Sequence, residues 1–128
     1  MVNLVVSIGS NCGDRKGSVA GAKRWLQTLL LDFRESEIYE TPCALREGPN
    51  YANSVVSGIY IGSLSSFEEK LKNYEISKGR DEACRKRGDV PVDIDVVIAD
   101  GKILKPWDYK QKFFQIGFGS MNVQTDPD

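Results

Sequence analysis

Two carboxylates spaced by one residue, Asp93 and Asp95, stand inside the apolar run Val92-Asp93-Ile94-Asp95-Val96-Val97-Ile98. The flanking residues are mostly β-branched, so the run reads as a buried strand. Alternation puts Val92, Ile94, Val96 and Ile98 on one face and both aspartates on the other. Two carboxylates about 7 Å apart repel by roughly 2 kcal/mol at an effective dielectric of about 20. A half-buried strand needs a cation to offset that cost. A pair of Mg²⁺ ions carrying substrate phosphates would do so, and points to phosphoryl transfer. A solvated or arginine-paired sheet edge would also tolerate the two aspartates, and Asp-x-Asp alone does not separate the alternatives.

A second group lies just upstream. Over residues 70–89, Lys70, Lys72, Lys78, Arg80, Arg85, Lys86 and Arg87 face only Glu75, Asp81, Glu82 and Asp89, seven basic against four acidic. A cationic loop beside a two-aspartate metal site is what a polyphosphate needs. A solvated charged surface is the plainer alternative for such a run. Gly9-Ser10-Asn11 lets the backbone pass close to a ligand or a neighbouring strand. It is not a Walker loop, because no Gly-Lys-Ser/Thr follows. Glu40-Thr41-Pro42 and Tyr51-Ala52-Asn53 bracket one loop and offer a hydroxyl, an amide and an aromatic face. An amide can donate to and accept from a heterocycle edge while a tyrosine stacks on its face. A packed loop closure would use the same residues.

Composition narrows the chemistry further. The chain has no histidine, which removes Ser-His and Cys-His nucleophile pairs, His-ligated metals and the commonest general base. Carboxylates, cations, hydroxyls and bound metal remain. Cys12, Cys43 and Cys84 are odd in number and form no Cys-x-x-Cys pair, which argues for a reducing cytoplasm and against a disulfide framework or zinc site. Seventeen basic and eighteen acidic residues leave a net charge of −1, so no global field draws in nucleic acid or anionic membrane. No apolar run reaches the length of a membrane span.

The elements that must carry these residues follow the order β-α-β-β-α-β. Residues 2–8 form a first strand, and Val19, Ala22, Leu26, Leu29 and Leu30 recur at helical spacing over 14–30 with Asp14 as N-cap. Residues 33–40 and 51–61 read as the second and third strands. Ser65-Ser66-Phe67-Glu68 has the capping-box pattern and opens a helix with Phe67, Leu71 and Tyr74 on its apolar face, ended by Gly79. Residues 80–89 are expected as a loop before the aspartate strand. This order predicts an α+β, ferredoxin-like sheet with both helices on one face and the other face open to loops and ligand. One domain over 1–119 is expected, with 120–128 as a disordered tail.

Five motifs in this order resemble a known family: residues 5–13, Tyr39-Glu40-Thr41-Pro42, Tyr51-Ala52-Asn53-Ser54-Val55-Val56, Glu75 with Gly79-Arg80, and Val92-Asp93-Ile94-Asp95-Val96-Val97. Together, over residues 2–106, they resemble the 6-hydroxymethyl-7,8-dihydropterin pyrophosphokinases of folate biosynthesis. The resemblance implies a cytoplasmic enzyme that transfers pyrophosphate from ATP to the pterin hydroxymethyl group and releases AMP. It further implies two Mg²⁺ ions on Asp93 and Asp95, and Thr41, Pro42, Tyr51 and Asn53 around the pterin. Glu75 falls on the nucleotide side, where the cations Lys72, Arg85 and Arg87 are also assigned, and Arg80 joins the two aspartates in the catalytic group. Nucleic acid and membrane are not expected as partners.

The chain departs from the family pattern at several positions. The family's Arg-Trp-Gly-Pro-Arg-like run reads Lys86-Arg87-Gly88-Asp89-Val90, an upstream arginine position holds Glu82, and a Pro-His segment reads Pro106-Trp107-Asp108. An arginine expected a few residues later is missing, although Lys110 and Lys112 lie nearby. A relative that binds pterin or nucleotide without turnover, or a ferredoxin-like interaction module, are the alternatives. The near-neutral charge and the lack of an aromatic-rich strand count against an RNA-binding form of the last.

Overall fold

A computed structural model describes residues 1–45 and 47–121. The chain builds β1 (Val2–Ser10), α1 (Arg15–Gln27), β2 (Leu31–Glu35), β3 (Tyr39–Thr41), β4 (Tyr51–Tyr60), α2 (Leu64–Ser77), α3 (Glu82–Arg87), β5 (Asp93–Ala99), β6 (Lys102–Ile103), α4 (Pro106–Lys110) and α5 (Lys112–Ser120). The strands form one sheet in the order β2-β4-β1-β5-β6, with β3 also paired to β4 and every pairing antiparallel. The four main strands and two long helices give the expected ferredoxin-like arrangement. Among the described residues no helix is long and apolar enough to cross a membrane.

Both expected helices pack on one face of the sheet. Val19, Ala22 and Leu26 of α1 and Phe67 and Leu71 of α2 join Val6, Ile8, Val56, Ile94 and Val96 in the main core. Trp25 and Tyr74 stack between the helices, with ring centroids 4.2 Å apart. Asp14 caps α1 by accepting from Gly17 N at 3.1 Å, as the sequence predicts. Gly79 follows α2 with φ +94°, a conformation that favours glycine.

Six local expectations need correction. The start of α2 lies two residues earlier than predicted, because Ser63, not Ser65, caps it by accepting from Ser66 N at 3.1 Å. The earlier start lets a half-buried Leu64 pack against the main core. The single strand expected over 33–40 is two. Between Glu35, opposite Val56, and Tyr39, opposite Asn53, four steps on one side face three on the other. Ser36 holds the break, its Oγ accepting from Val55 N at 2.9 Å. The loop expected over 80–89 contains α3, which Asp81 caps by accepting from Cys84 N at 2.8 Å while Cys84 is buried.

Ile98 does not share a face with Val92, Ile94 and Val96. Val5 pairs with Ile98 but Val6 pairs with Val96, so Val97 is an extra residue and a β-bulge reverses the alternation. Val97 and Ile98 therefore enter a second core with Val5, Val55 and Phe114. The opposite sheet face is accordingly not left wholly open: α5 covers part of it, with Phe114 fully buried there. Of the expected tail, Ser120 ends α5 and Met121 packs on the second core; residues 122–128 lie outside the described residues.

Candidate active site

Alternation along three neighbouring strands lays the site out before any side chain contact is considered. Gly9 of β1 lies opposite Asn53 of β4 on one side and Asp93 of β5 on the other. One step of two residues further along, Ser7 lies between Val55 and Asp95. Asn53 and Asp93 are thus two strand spacings apart, about 10 Å, with a glycine between them. Small residues at Gly9 and Ser7 leave the floor low. The result is a cavity of about 140 Å³ lined by Ser7, Gly9, Thr41, Pro42, Tyr51, Asn53 and Asp93, on the same face as the second core.

All four residues assigned to a pterin therefore meet in one cavity. Thr41 and Tyr51 are opposite each other across β3 and β4. Asn53 is almost fully buried, and its Nδ2 donates to Thr41 Oγ1 at 2.8 Å, Tyr51 O at 3.2 Å and Tyr39 O at 3.4 Å. With the amide nitrogen committed inside, Oδ1 lies on the Gly9 side, 3.5 Å from where a side chain on Gly9 would begin. Trp107, Asp108 and Phe113 from the α4–α5 segment complete the wall, and the sequence reading missed all three as site residues. The signal was present: Pro106 at a helix start and apolar side chains at Phe113, Phe114 and Phe118 on a helical period.

Across β5 lies a second, wider cavity of about 470 Å³, lined by Ser65, Lys72, Glu75, Ile94, Asp95 and Lys105 among others. The two aspartates thus divide the cavities, Asp93 facing the first and Asp95 the second. Ile98 and Ala99 of β5 pair with β6, so among the described residues the N-terminal half of β5 has no strand on its outer edge. Glu75 of α2 fills that role, its Oε2 accepting from Ile94 N at 2.7 Å. Arg80 Nη1 then joins Glu75 Oε2 at 3.1 Å to Asp93 Oδ1 at 2.6 Å. Burial works against the charge on Arg80, and the attraction and hydrogen bond of Asp93 more than restore it, holding its pKa above the usual arginine value.

Asp95 accepts from Lys105 Nζ at 2.6 Å. Burial, followed by repulsion from Asp93, nevertheless pushes its pKa up from 3.8 to about 6. Asp108 is also raised, first by burial and then by Asp95. The carboxylates crowd, as the sequence argument requires, and each has one cation. Lys105 was not foreseen, because nothing local to it signals a partner ten residues back. Of the remaining nucleotide-side assignments, Lys72 and Glu75 line the second cavity, whereas Arg85 and Arg87 line neither. Arg87 pairs with Asp89 at 2.8 Å.

The donor set suits Mg²⁺: hard oxygens from two neighbouring carboxylates whose like-charge cost Arg80 and Lys105 offset only in part. Among the described residues no group of three or more Asp, Glu, His or Cys side chains gathers to hold a metal. Two carboxylates would supply only part of a shell, and Mg²⁺ is commonly held that way where phosphates supply the rest.

A ferredoxin-like α+β sheet with two aspartates of one strand dividing two cavities is the class that fold and geometry define. The chain belongs to the 7,8-dihydro-6-hydroxymethylpterin-pyrophosphokinase (HPPK) family, whose model matches residues 5–121, in agreement with the resemblance read from the five motifs. It is similar to the folate synthesis bifunctional protein of Arabidopsis thaliana, at 28% identity over 96 residues. That match covers 73% of this chain and 20% of the relative, so the chain spans about a fifth of the relative's length.

Proposed function

We propose that this protein transfers pyrophosphate from ATP to the hydroxymethyl group of 6-hydroxymethyl-7,8-dihydropterin, as a step of folate synthesis. The observation that carries the proposal is the division of the two cavities by Asp93 and Asp95. The pterin is assigned to the smaller cavity. Tyr51 and Phe113 offer it aromatic faces, and Asn53 Oδ1 and the Thr41 hydroxyl address its edge. ATP is assigned to the larger cavity, with Lys72 and Lys105 as cations for its phosphates. The pterin hydroxyl then approaches the β-phosphorus from the opposite side of β5, its oxygen bonds to that phosphorus, the bond to the α-phosphate oxygen breaks, and AMP leaves.

Asp93 and Asp95 would hold Mg²⁺, which supplies charge neutralisation for the phosphates when bound. Arg80 holds Asp93 in place through the 2.6 Å ion pair. Its other bond, to Glu75, fixes the carboxylate strand to α2. The test is a product assay with ATP, Mg²⁺ and the reduced hydroxymethylpterin, in which AMP and the pterin diphosphate should form in equal amounts. Binding of both substrates with no AMP would overturn the proposed activity.

A further inference from the structure

The two cations paired with the aspartates are held in different ways. Arg80 is shared between two carboxylates that are themselves anchored, Asp93 by the sheet and Glu75 by Ile94 N. Its side chain is only 25% exposed, and releasing it would leave Glu75 and Asp93 facing each other. Lys105 is different. Its backbone is pinned, with Leu104 N and Lys105 N both donating to Val97 O at 2.8 and 3.4 Å, yet its side chain is 41% exposed and ends in one hydrogen bond to Asp95. A fixed root with a four-carbon stem lets the ammonium swing without moving the chain. Its arc lies along the wall of the larger cavity, which it lines together with Lys72.

The charges give this asymmetry a use. Glu75, Asp93, Asp95 and Asp108 carry four negative charges when ionised, against two positive charges on Arg80 and Lys105. Burial opposes the charge on Lys105, but the hydrogen bond and attraction of Asp95, with Asp108 and Asp93 behind it, outweigh that and strengthen its hold on the proton. A lone divalent cation would meet Asp95 already neutralised, and would need to expel an ammonium that had nowhere anionic to go. A polyphosphate entering the same cavity brings the missing acceptor.

We propose that Lys105 is a displaceable counter-ion for Asp95, holding the carboxylate in the empty site and passing to a phosphate oxygen when a metal–polyphosphate binds. Resting on the metal-dependent activity proposed above, this makes Lys105 a positioning residue that couples metal entry to nucleotide entry. A free divalent cation is held off, and the site loads as a unit.

The test uses Mn²⁺ as the probe, its binding to the full chain followed by electron paramagnetic resonance with and without a non-hydrolysable ATP analogue. The parent should bind free Mn²⁺ weakly and bind it tightly with the analogue. Lys105→Met should bind free Mn²⁺ about tenfold or more tightly than the parent, because a unit positive charge a few ångströms away is gone. It should also lose most of the gain that the analogue confers, and Lys105→Arg should restore the parent's pattern. Unchanged free Mn²⁺ affinity in Lys105→Met overturns the counter-ion role. Asp95→Asn in the same assay separates the two layers. If it loses Mn²⁺–analogue binding while Lys105→Met leaves free Mn²⁺ unchanged, the metal assignment stands and only the counter-ion role falls. If it binds Mn²⁺–analogue like the parent, the metal assignment fails and the counter-ion role with it.

Discussion

Replacing Asp95 by asparagine should stabilise the empty protein while abolishing its activity, and the size of the gain follows from the site. Burial and the neighbouring Asp93 raise the Asp95 pKa from 3.8 to about 6. At about 1.4 kcal/mol per pH unit, the ionised carboxylate costs the folded state about 3 kcal/mol. The sign is that of a raised acid. Above pH 6 the group is ionised whether folded or not, and the folded state carries the whole cost. As pH falls through 6 the folded state takes up the proton first, so the cost fades and is gone below about 3.8. Asparagine has nearly the same shape, no charge, and an oxygen that can still accept from Lys105. The variant should therefore exceed the parent by about 2–3 kcal/mol at pH 8, with the difference shrinking toward zero near pH 4. Urea unfolding of both proteins across that range measures it. A variant no more stable than the parent at pH 8, or a difference that does not depend on pH, would refute the like-charge account of the site. Loss of AMP formation in the same variant would mark the destabilising charge as one kept for function.

Two other substitutions probe the walls of the site. Asn53→Ala removes the donor shared by Thr41, Tyr51 and Tyr39, and should lower stability by about 1–3 kcal/mol in urea and weaken pterin binding by a similar amount by calorimetry. Gly117→Ala would place a methyl group 2.7 Å from both Tyr39 Oη and Val55 Cγ2. Lifting α5 off the sheet to relieve this should cost about 1–3 kcal/mol and reduce pterin affinity, because Phe113 on the same helix lines the cavity; thermal unfolding and the same calorimetry check both.

Much of this architecture was legible in the sequence because it rests on local rules. Apolar periodicity located α1, α2 and the long strands, and Asp14 and Gly79 marked real helix ends. The meeting of Tyr51 and Asn53 in one cavity was also legible, since alternation puts them on one face whatever the partner strand does. What escaped depends on pairing between distant segments. Neither the bulge at Val97 nor the break at Ser36 leaves a local signature: both arise because one strand has a residue more than its neighbour. The nucleotide-side arginines show the same limit from the other direction. Arg85 and Arg87 are close in sequence to the aspartates, but α3 turns them away from both cavities and Arg87 is paired with Asp89.

The bulge at Val97 does more than correct one face assignment. Without the extra residue, Ile98 would point into the main core, and the second face would lose one of the apolar side chains on which Phe114 packs. That second core holds α5 against the sheet, and α5 and the turn before it bring Phe113, Trp107 and Asp108 to the smaller cavity. The same bulged residue turns its carbonyl to Leu104 N and Lys105 N, which fixes the root of the lysine paired with Asp95. One irregularity in the aspartate strand therefore positions a wall of one cavity and a cation lining the other. Bulges recur beside active sites because they re-aim side chains; here the re-aimed elements lie on both sides of the carboxylates. A change at Val97 that restored regular alternation should accordingly disturb both cavities together, although Val97 itself lines neither.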